Sequence, residues 1–352
     1  MGFSFTMLKM RIQIKNHFFI LTFFFWGATL FSQSEKELLQ LGLSHLEQAD
    51  YAKANKTFYT LKSRYSRTAL YHYYAAVAKV HLSDYSSALV DLNKSISLDP
   101  DYPLAYSYRY LANKKTRNFQ FALADISKYL EYVPDDTLSR WARYELAIYM
   151  REYDDAIMDG KWLIAHQQGG DSMVQKQIHI FEETGRNRDK LELLTQQIKS
   201  NSDQKSWYYQ RAFTYYKLGE YETSLKDLEQ FLIAEPKNHE ALKLRFDNHF
   251  YLRNLPKCER YIKELIELDE KNGTYYSDYG HVLLQKGDWK QAINNFDKAI
   301  KFKSSDLGYV YLGRGIARYN SGDKKLACMD WERSLLLGES VARKYLISYC
   351  ER

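Results

Sequence analysis

Three cysteines, five prolines and no block of like charge are the shortages of this 352-residue chain, and each closes off a class of protein. Cys258, Cys328 and Cys350 are an odd count without metal-ligand spacing, which excludes a zinc module and a cysteine-dense scaffold. Lys and Arg (50) interleave with Asp and Glu (44) along the whole length. No region therefore offers the dense cationic stripe that a phosphate backbone requires, and nucleic acid is not an expected partner. HExxH, GxSxG and a glycine-rich phosphate loop are all missing, as are strands to present such turns, so neither an enzyme nor a cofactor is expected. Beyond Phe31 no apolar run is long enough to cross a bilayer.

The amino terminus has what the rest lacks. Lys9, Arg11 and Lys15 form a basic segment before an apolar run from Phe18 to Phe31, the pattern of a secretory leader over residues 1–32, with cleavage expected after Ser32. Leu30 departs from the small residue preferred near such a site. Fourteen helical residues reach only about 21 Å, short of a roughly 30 Å hydrocarbon core, so removal is favoured over a permanent span. Removal lowers the formal charge from +6 to +3 and places the chain in the periplasm or outside the cell. Retention would instead tether it to a membrane, and no cysteine lies nearby to carry a lipid.

Sliding the sequence against itself by 34 residues aligns Tyr51, Tyr85, Phe119, Tyr153, Asn187, Tyr221, Leu255 and Trp289 without an insertion. Three residues on stand Ala54, Ala88, Ala122, Ala156, Lys190, Ser224, Cys258 and Ala292; four further stand Phe58, Leu92, Ile126, Gly160, Leu194, Leu228, Ile262 and Phe296. Small then large at helical spacing is one buried face. Asp50, Asp84, Asn118, Asn254 and Asp288 immediately precede the aligned position, as N-caps would. Gly219 and Gly287 mark turns before it, and Pro100, Pro134 and Pro236 close the helix after it. Each period thus reads helix, tight turn, helix, loop.

Stretches such as LGLSHLEQADYAKANKTF, KLGEYETSLKDLEQFLIAEP and YGHVLLQKGDWKQAINNFDKAI resemble tetratricopeptide repeats in both period and residue type. The resemblance covers 35–341 as units 35–68, 69–102, 103–136, 137–170, 171–204, 205–238, 239–272, 273–306 and 308–341, with 342–352 as a capping helix. It implies an all-α, right-handed superhelical solenoid of stacked antiparallel helix pairs, because one hairpin cannot bury its apolar face alone. Two units depart from the pattern. The fifth has Asn187 and Lys190 at the aligned positions and Gly169-Gly170 before it, which implies either a bend in the stack or a longer loop; the seventh has Arg253 where glycine is commoner.

In this family the first helix of each unit lines the concave side. The resemblance therefore implies an inward face made by Tyr73, Val77 and His81; by Leu111 and Lys114; by Trp141, Glu145, Ile148 and Tyr149; by Tyr209, Phe213, Tyr216 and Lys217; and by Lys243, Asp247, Phe250 and Tyr251. So aromatic a surface suits a protein or extended peptide, although 31 Tyr and 18 Phe also leave rings to fill cores. A glycan or other small molecule stacked on the same Tyr and Trp is the alternative. The Lys and Asn set with which some members hold a terminal carboxylate is missing, since Leu43, Val77, Leu111 and Glu145 occupy those places. His179 and Glu182, with Glu183 beside them, share a helix face but lack a third metal ligand, so a solvated or salt-bridged face is the better reading. Cys258 occupies a small-residue position. Cys328 and Cys350 flank a loop near Gly338 at similar distances, and either form a disulfide or stay as two buried thiols.

Overall fold

The computed structural model describes residues 33–201 and 203–350, so the expected leader, residues 1–32, and the last two residues of the expected capping helix lie outside it. The described residues are all helix and turn, without a strand. The chain falls into two compact units, one ending at Ile180 and the other beginning at Phe181.

The first unit contains α1 (Gln33–Glu47), α2 (Tyr51–Arg64), α3 (Ala69–His81), α4 (Tyr85–Leu98), α5 (Pro103–Lys115), α6 (Phe119–Tyr132), α7 (Thr137–Met150), α8 (Tyr153–Ala165) and most of α9 (Gly170–Glu183). The second contains α10 (Asn187–Ser200), α11 (Ser206–Lys217), α12 (Tyr221–Ala234), α13 (His239–Tyr251), α14 (Leu255–Leu268), α15 (Gly273–Lys286), α16 (Trp289–Lys301), α17 (Leu307–Asn320), α18 (Lys324–Leu336) and α19 (Ala342–Tyr349). In each unit consecutive helices pair and the pairs stack. The stacking buries the repeating small and large residues: Ala54, Ala88, Ala122, Ala156, Ser224, Cys258 and Ala292 are sealed, and so are Phe58, Leu92, Leu194, Leu228, Ile262 and Phe296. Each large side chain so buried contributes about 1.5–3 kcal/mol. Close approach has a visible mechanism at Gly280, where an added Cβ would meet the Phe296 ring at 2.6 Å.

The turn inside each hairpin is set by backbone geometry more than by residue type. Gly219 and Gly287 have positive φ, but so do Ala49, Ser83, Arg117, Arg151 and Arg253 at the same repeat position. The Asp50, Asp84, Asn254 and Asp288 side chains then accept from backbone N–H groups in the first turn of the next helix. Asn118 does not; its amide donates to Thr116 Oγ1 at 3.1 Å, so it caps nothing.

Each unit also carries ion pairs that recur from hairpin to hairpin. The guanidinium of Arg143 on α7 donates to Asp159 on α8 at 2.7 Å through Nε and Nη2, and its Nη1 reaches Ser127 on α6 at 3.3 Å. Arg109 joins Asp125 and Asn93 in the same way, Arg211 joins Asp227 and Thr195, and Arg314 joins Asp330 and Asp297. One planar fork thereby ties both helices of its own hairpin to the one before it, and removing either partner would leave a buried charge uncompensated, at about 3–5 kcal/mol.

The irregular fifth repeat also has a local account. Gln177 occupies the place of the recurring arginine and fills the space left by Gly160, where a Cβ would sit 1.8 Å from Gln177 Oε1. The loop before α9 spans residues 166–169, the same length as those before α3, α5 and α7, so the longer loop expected from Gly169-Gly170 does not form. Gly169 instead supplies positive φ and room for the Trp141 ring, which an added Cβ would meet at 2.8 Å. At the far end, Cys328 and Cys350 are bonded, with 5.8 Å between their Cα atoms, and hold α19 over Trp331. Closing a loop of this size is worth about 3 kcal/mol. Cys258 is a buried free thiol pushed up to about 11 by burial.

Candidate functional site

First helices of neighbouring hairpins touch: α3 with α5 in the first unit, α11 with α13 and α15 with α17 in the second. Residues at equal repeat positions therefore lie side by side across these helices, and the residues implied above can be located one by one.

In the first unit, Tyr73 is 5% exposed and Val77 3%, so neither presents an open face. Tyr73 packs edge-on against Tyr102 at 4.9 Å and Tyr108 at 5.6 Å; bulky neighbours on α5 and the preceding loop close over it, a correction to its placement on the inward surface. His81 is half-buried and stacks on Tyr51 at 4.2 Å. Leu111 is half-buried, and Lys114 is held by Tyr110 Oη at 3.0 Å. Glu145 is exposed, and Tyr149, 70% exposed, leans on Phe119 at 5.1 Å. Trp141 is half-buried, with Lys176 Nζ 5.6 Å above its ring.

In the second unit the same positions carry charge. Lys243, Asp247 and Tyr251 follow one another every fourth residue and so share a stripe on α13. Lys243 Nζ donates to Asp247 Oδ1 at 2.5 Å and lies 3.2 Å from Asp278 Oδ2 on α15. That second oxygen receives no hydrogen bond. One ammonium thus serves two carboxylates. Burial pushes Asp278 up to about 6 against the pull of Lys243, and it raises Asp247 as well. Burial also works against the Lys243 charge, yet Asp278 and Asp247 together hold its ammonium above the usual lysine range.

Rings border this set. Tyr251, 55% exposed, stacks face to face on Tyr221 at 5.1 Å and meets Tyr216 at 5.8 Å. Burial and the nearby Asp247 charge raise the Tyr216 phenol. Tyr309 on α17 stands near Asp278 and stacks on His281 at 4.0 Å; His281 is buried, and burial lowers it to about 3. Phe213 packs beside Tyr216 at 6.4 Å, with exposed Lys217 over its ring at 4.7 Å. Tyr209 and Phe250 are half-buried, Tyr209 against Phe231 at 5.2 Å. The residues that sequence reasoning missed are Asp278, Tyr221 and Tyr309.

Of the expected His179 and Glu182 pair, Glu182 is salt-bridged. Glu182 accepts from Lys190 Nζ at 2.6 Å, and the carboxylate neutralises a lysine buried at the small-residue position. Among the described residues no group of three His, Cys, Asp or Glu could hold a metal ion, and no helix is long and apolar enough to cross a membrane.

Residues 39–103 match the tetratricopeptide repeat family, and residues 205–246 match the Fis1 C-terminal tetratricopeptide repeat. No curated protein matches the chain. Among solved structures, that of Naa15/Naa10 bound to HypK-THB is similar over 90% of this chain at 11% identity and a TM-score of 0.55; this chain spans just under two thirds, 66%, of that one. A tetratricopeptide repeat protein from Parabacteroides merdae ATCC 43184 is 17% identical over 78% of this chain and 96% of its own, with a TM-score of 0.37. YrrB, described as a TPR protein with an unusual peptide-binding site, is 12% identical over 50% of this chain and 91% of its own, with a TM-score of 0.43. At these identities the likeness is one of fold. The 34-residue period, the paired helices and the two matched segments give the chain the fold of a tetratricopeptide repeat solenoid.

Proposed function

We propose that this chain is an exported, non-enzymatic scaffold that holds a protein or extended peptide along the faces of its first helices. The observation that carries the reading is the ring-bordered stripe of half-buried Lys243 and Asp247 and exposed Tyr251 on α13, with Tyr216, Tyr221 and Tyr309 around it. Rigid rings with polar tips give contact area at small conformational cost, and a fixed pattern of charge among them gives register to an extended ligand. Export rests on the basic and apolar pattern of residues 1–32.

A photoreactive amino acid placed at Tyr251 tests the first part. Discrete crosslinked products are expected at Tyr251 and not at Ile233, an exposed residue on the second helix α12. Identical products from both positions would defeat the assignment of the ligand to the first helices. Amino-terminal sequencing of the purified protein tests export; a chain that still begins at Met1 would sink it.

A further inference from the structure

The charge set on α13 and α15 has a sign. Two carboxylates share a single ammonium, so the Lys243, Asp247 and Asp278 group is one negative charge in excess. It is neither sealed nor fully solvated: the side chains of Asp247 and Asp278 keep 24% and 23% of their surface open, enough for a donor to reach them and little enough for the field to persist. Lys243 donates to Asp247 Oδ1 and lies 3.2 Å from the buried Asp278 Oδ2, so a single ammonium is divided between the two carboxylates.

The rings beside it have the matching property. An aromatic face is electron-rich and attracts a cation within about 6 Å of its centre. Tyr251 is the most exposed of them, Tyr221 and Tyr216 hold it in place at 5.1 and 5.8 Å, and Tyr309 stands on the Asp278 side. Nothing comparable occurs at the equivalent positions five repeat lengths earlier, where Tyr73, Val77 and Tyr108 stand in place of Lys243, Asp247 and Asp278.

We propose that this part of the second unit is a subsite for a basic side chain, arginine or lysine, of the extended ligand. The inference rests on the reading of the first helices as the binding face and adds the chemical class that the face selects. The cationic head lies against the Tyr251 ring and donates to the open edges of Asp247 and Asp278. Lys243 stays in place, keeps the two carboxylates from repelling each other and limits the subsite to one incoming charge.

Selection of random twelve-residue phage-displayed peptides on the purified full chain tests this. Enriched sequences are expected to carry Arg or Lys at one fixed position. The synthetic form of the best of them should bind, by fluorescence anisotropy, at least tenfold more weakly when that residue is changed to Gln. A similar loss is expected in Asp278→Asn and Tyr251→Ala chains, with Ile233→Ala unchanged; Tyr251→Ala alters an exposed ring and keeps the test valid if Asp278→Asn misfolds by circular dichroism. Enriched peptides without a fixed basic residue, or equal binding by all three variants, would overturn the subsite while leaving the first-helix reading intact. Failure to enrich any peptide would overturn both.

Discussion

Tyr51, Tyr73, Val77, His81 and Tyr108 in the first unit occupy the repeat positions of Tyr221, Lys243, Asp247, Tyr251 and Asp278 in the second, five repeat lengths on. Both sets keep the same ring pair, Tyr51 on His81 at 4.2 Å and Tyr221 on Tyr251 at 5.1 Å, each joining the start of a second helix to the end of the next first helix. The rest differs. In the first set the rings close on each other, burial pushes the Tyr108 phenol up to about 12, and the cluster belongs to the core. In the second, three ionised groups replace two rings and a valine, and the surface stays open. The backbone period therefore fixes where a side chain stands, and the identities at three positions decide whether the place becomes closed core or a charged, partly open surface.

The sharpest way to break the comparison is to write charge into the closed set. Val77→Asp puts at position 77 the carboxylate that Asp247 supplies in the second unit, but with no lysine on the same stripe. An unpaired buried charge costs about 3–5 kcal/mol. Urea unfolding should show a loss of that size, whereas Asp247→Val should change stability by less than about 1 kcal/mol because Lys243 keeps Asp278 as a partner. Equal losses from both would mean the two sets are packed alike.

Removing the shared cation comes next. Lys243→Met leaves Asp247 and Asp278 facing each other in a half-solvated place, and a loss of about 1–3 kcal/mol at pH 7.5 is expected. The sign of its pH dependence follows from Asp278, already pushed up to about 6 by burial with Lys243 present. A carboxyl whose folded value lies above its unfolded one takes up a proton first in the folded state, so the penalty is full above the folded value and fades as pH falls below it. The other groups facing Asp278 do not reverse this: Asp247 is itself raised, Tyr275 and Tyr309 stay neutral phenols, and His281, lowered to about 3, stays uncharged. Thermal melts at pH 7.5 and pH 5 should therefore differ less between parent and variant at the lower pH.

Much of this architecture was legible before any coordinates. Ala54 with Phe58 and Ala292 with Phe296 repeat because close helix packing admits only small against large, and that constraint recurs in every hairpin. The recurring ion pairs are equally periodic, with Arg109, Arg143 and Arg211 at one repeat position, but apolar periodicity carries no trace of them. Helix position gives Tyr73 an inward direction; it does not say that Tyr102 and Tyr108 are large enough to close over it. Asp278 was invisible for the opposite reason. It answers to no neighbour that repeats, so it leaves no pattern.

A smaller effect should be shared by both regions. Ser83 and Arg253 follow the two ring pairs at the same turn position, with φ of 63° and 55°. Glycine there relieves a left-handed strain of about 1–2 kcal/mol and costs about 0.5–1 kcal/mol in unfolded-chain entropy. Ser83→Gly and Arg253→Gly should each stabilise by about 0.5 kcal/mol in chemical denaturation. Unequal shifts would show that the charged set strains its own turn.

The largest exchange is expected to change stability little. Lys243→Tyr, Asp247→Val and Asp278→Tyr together write the first unit's residues into the second. A half-buried ionic group replaced as a whole by apolar side chains leaves no charge unpaired, so stability should stay within about 1 kcal/mol of the parent. Binding of the selected basic peptide should nevertheless fall by at least tenfold. A chain that loses several kcal/mol would place the three ions in the fold's own support. A chain that is both stable and still binding would show that the rings alone hold the ligand. Stability kept and binding lost is the outcome that separates a charge set maintained for a ligand from one maintained for the stack.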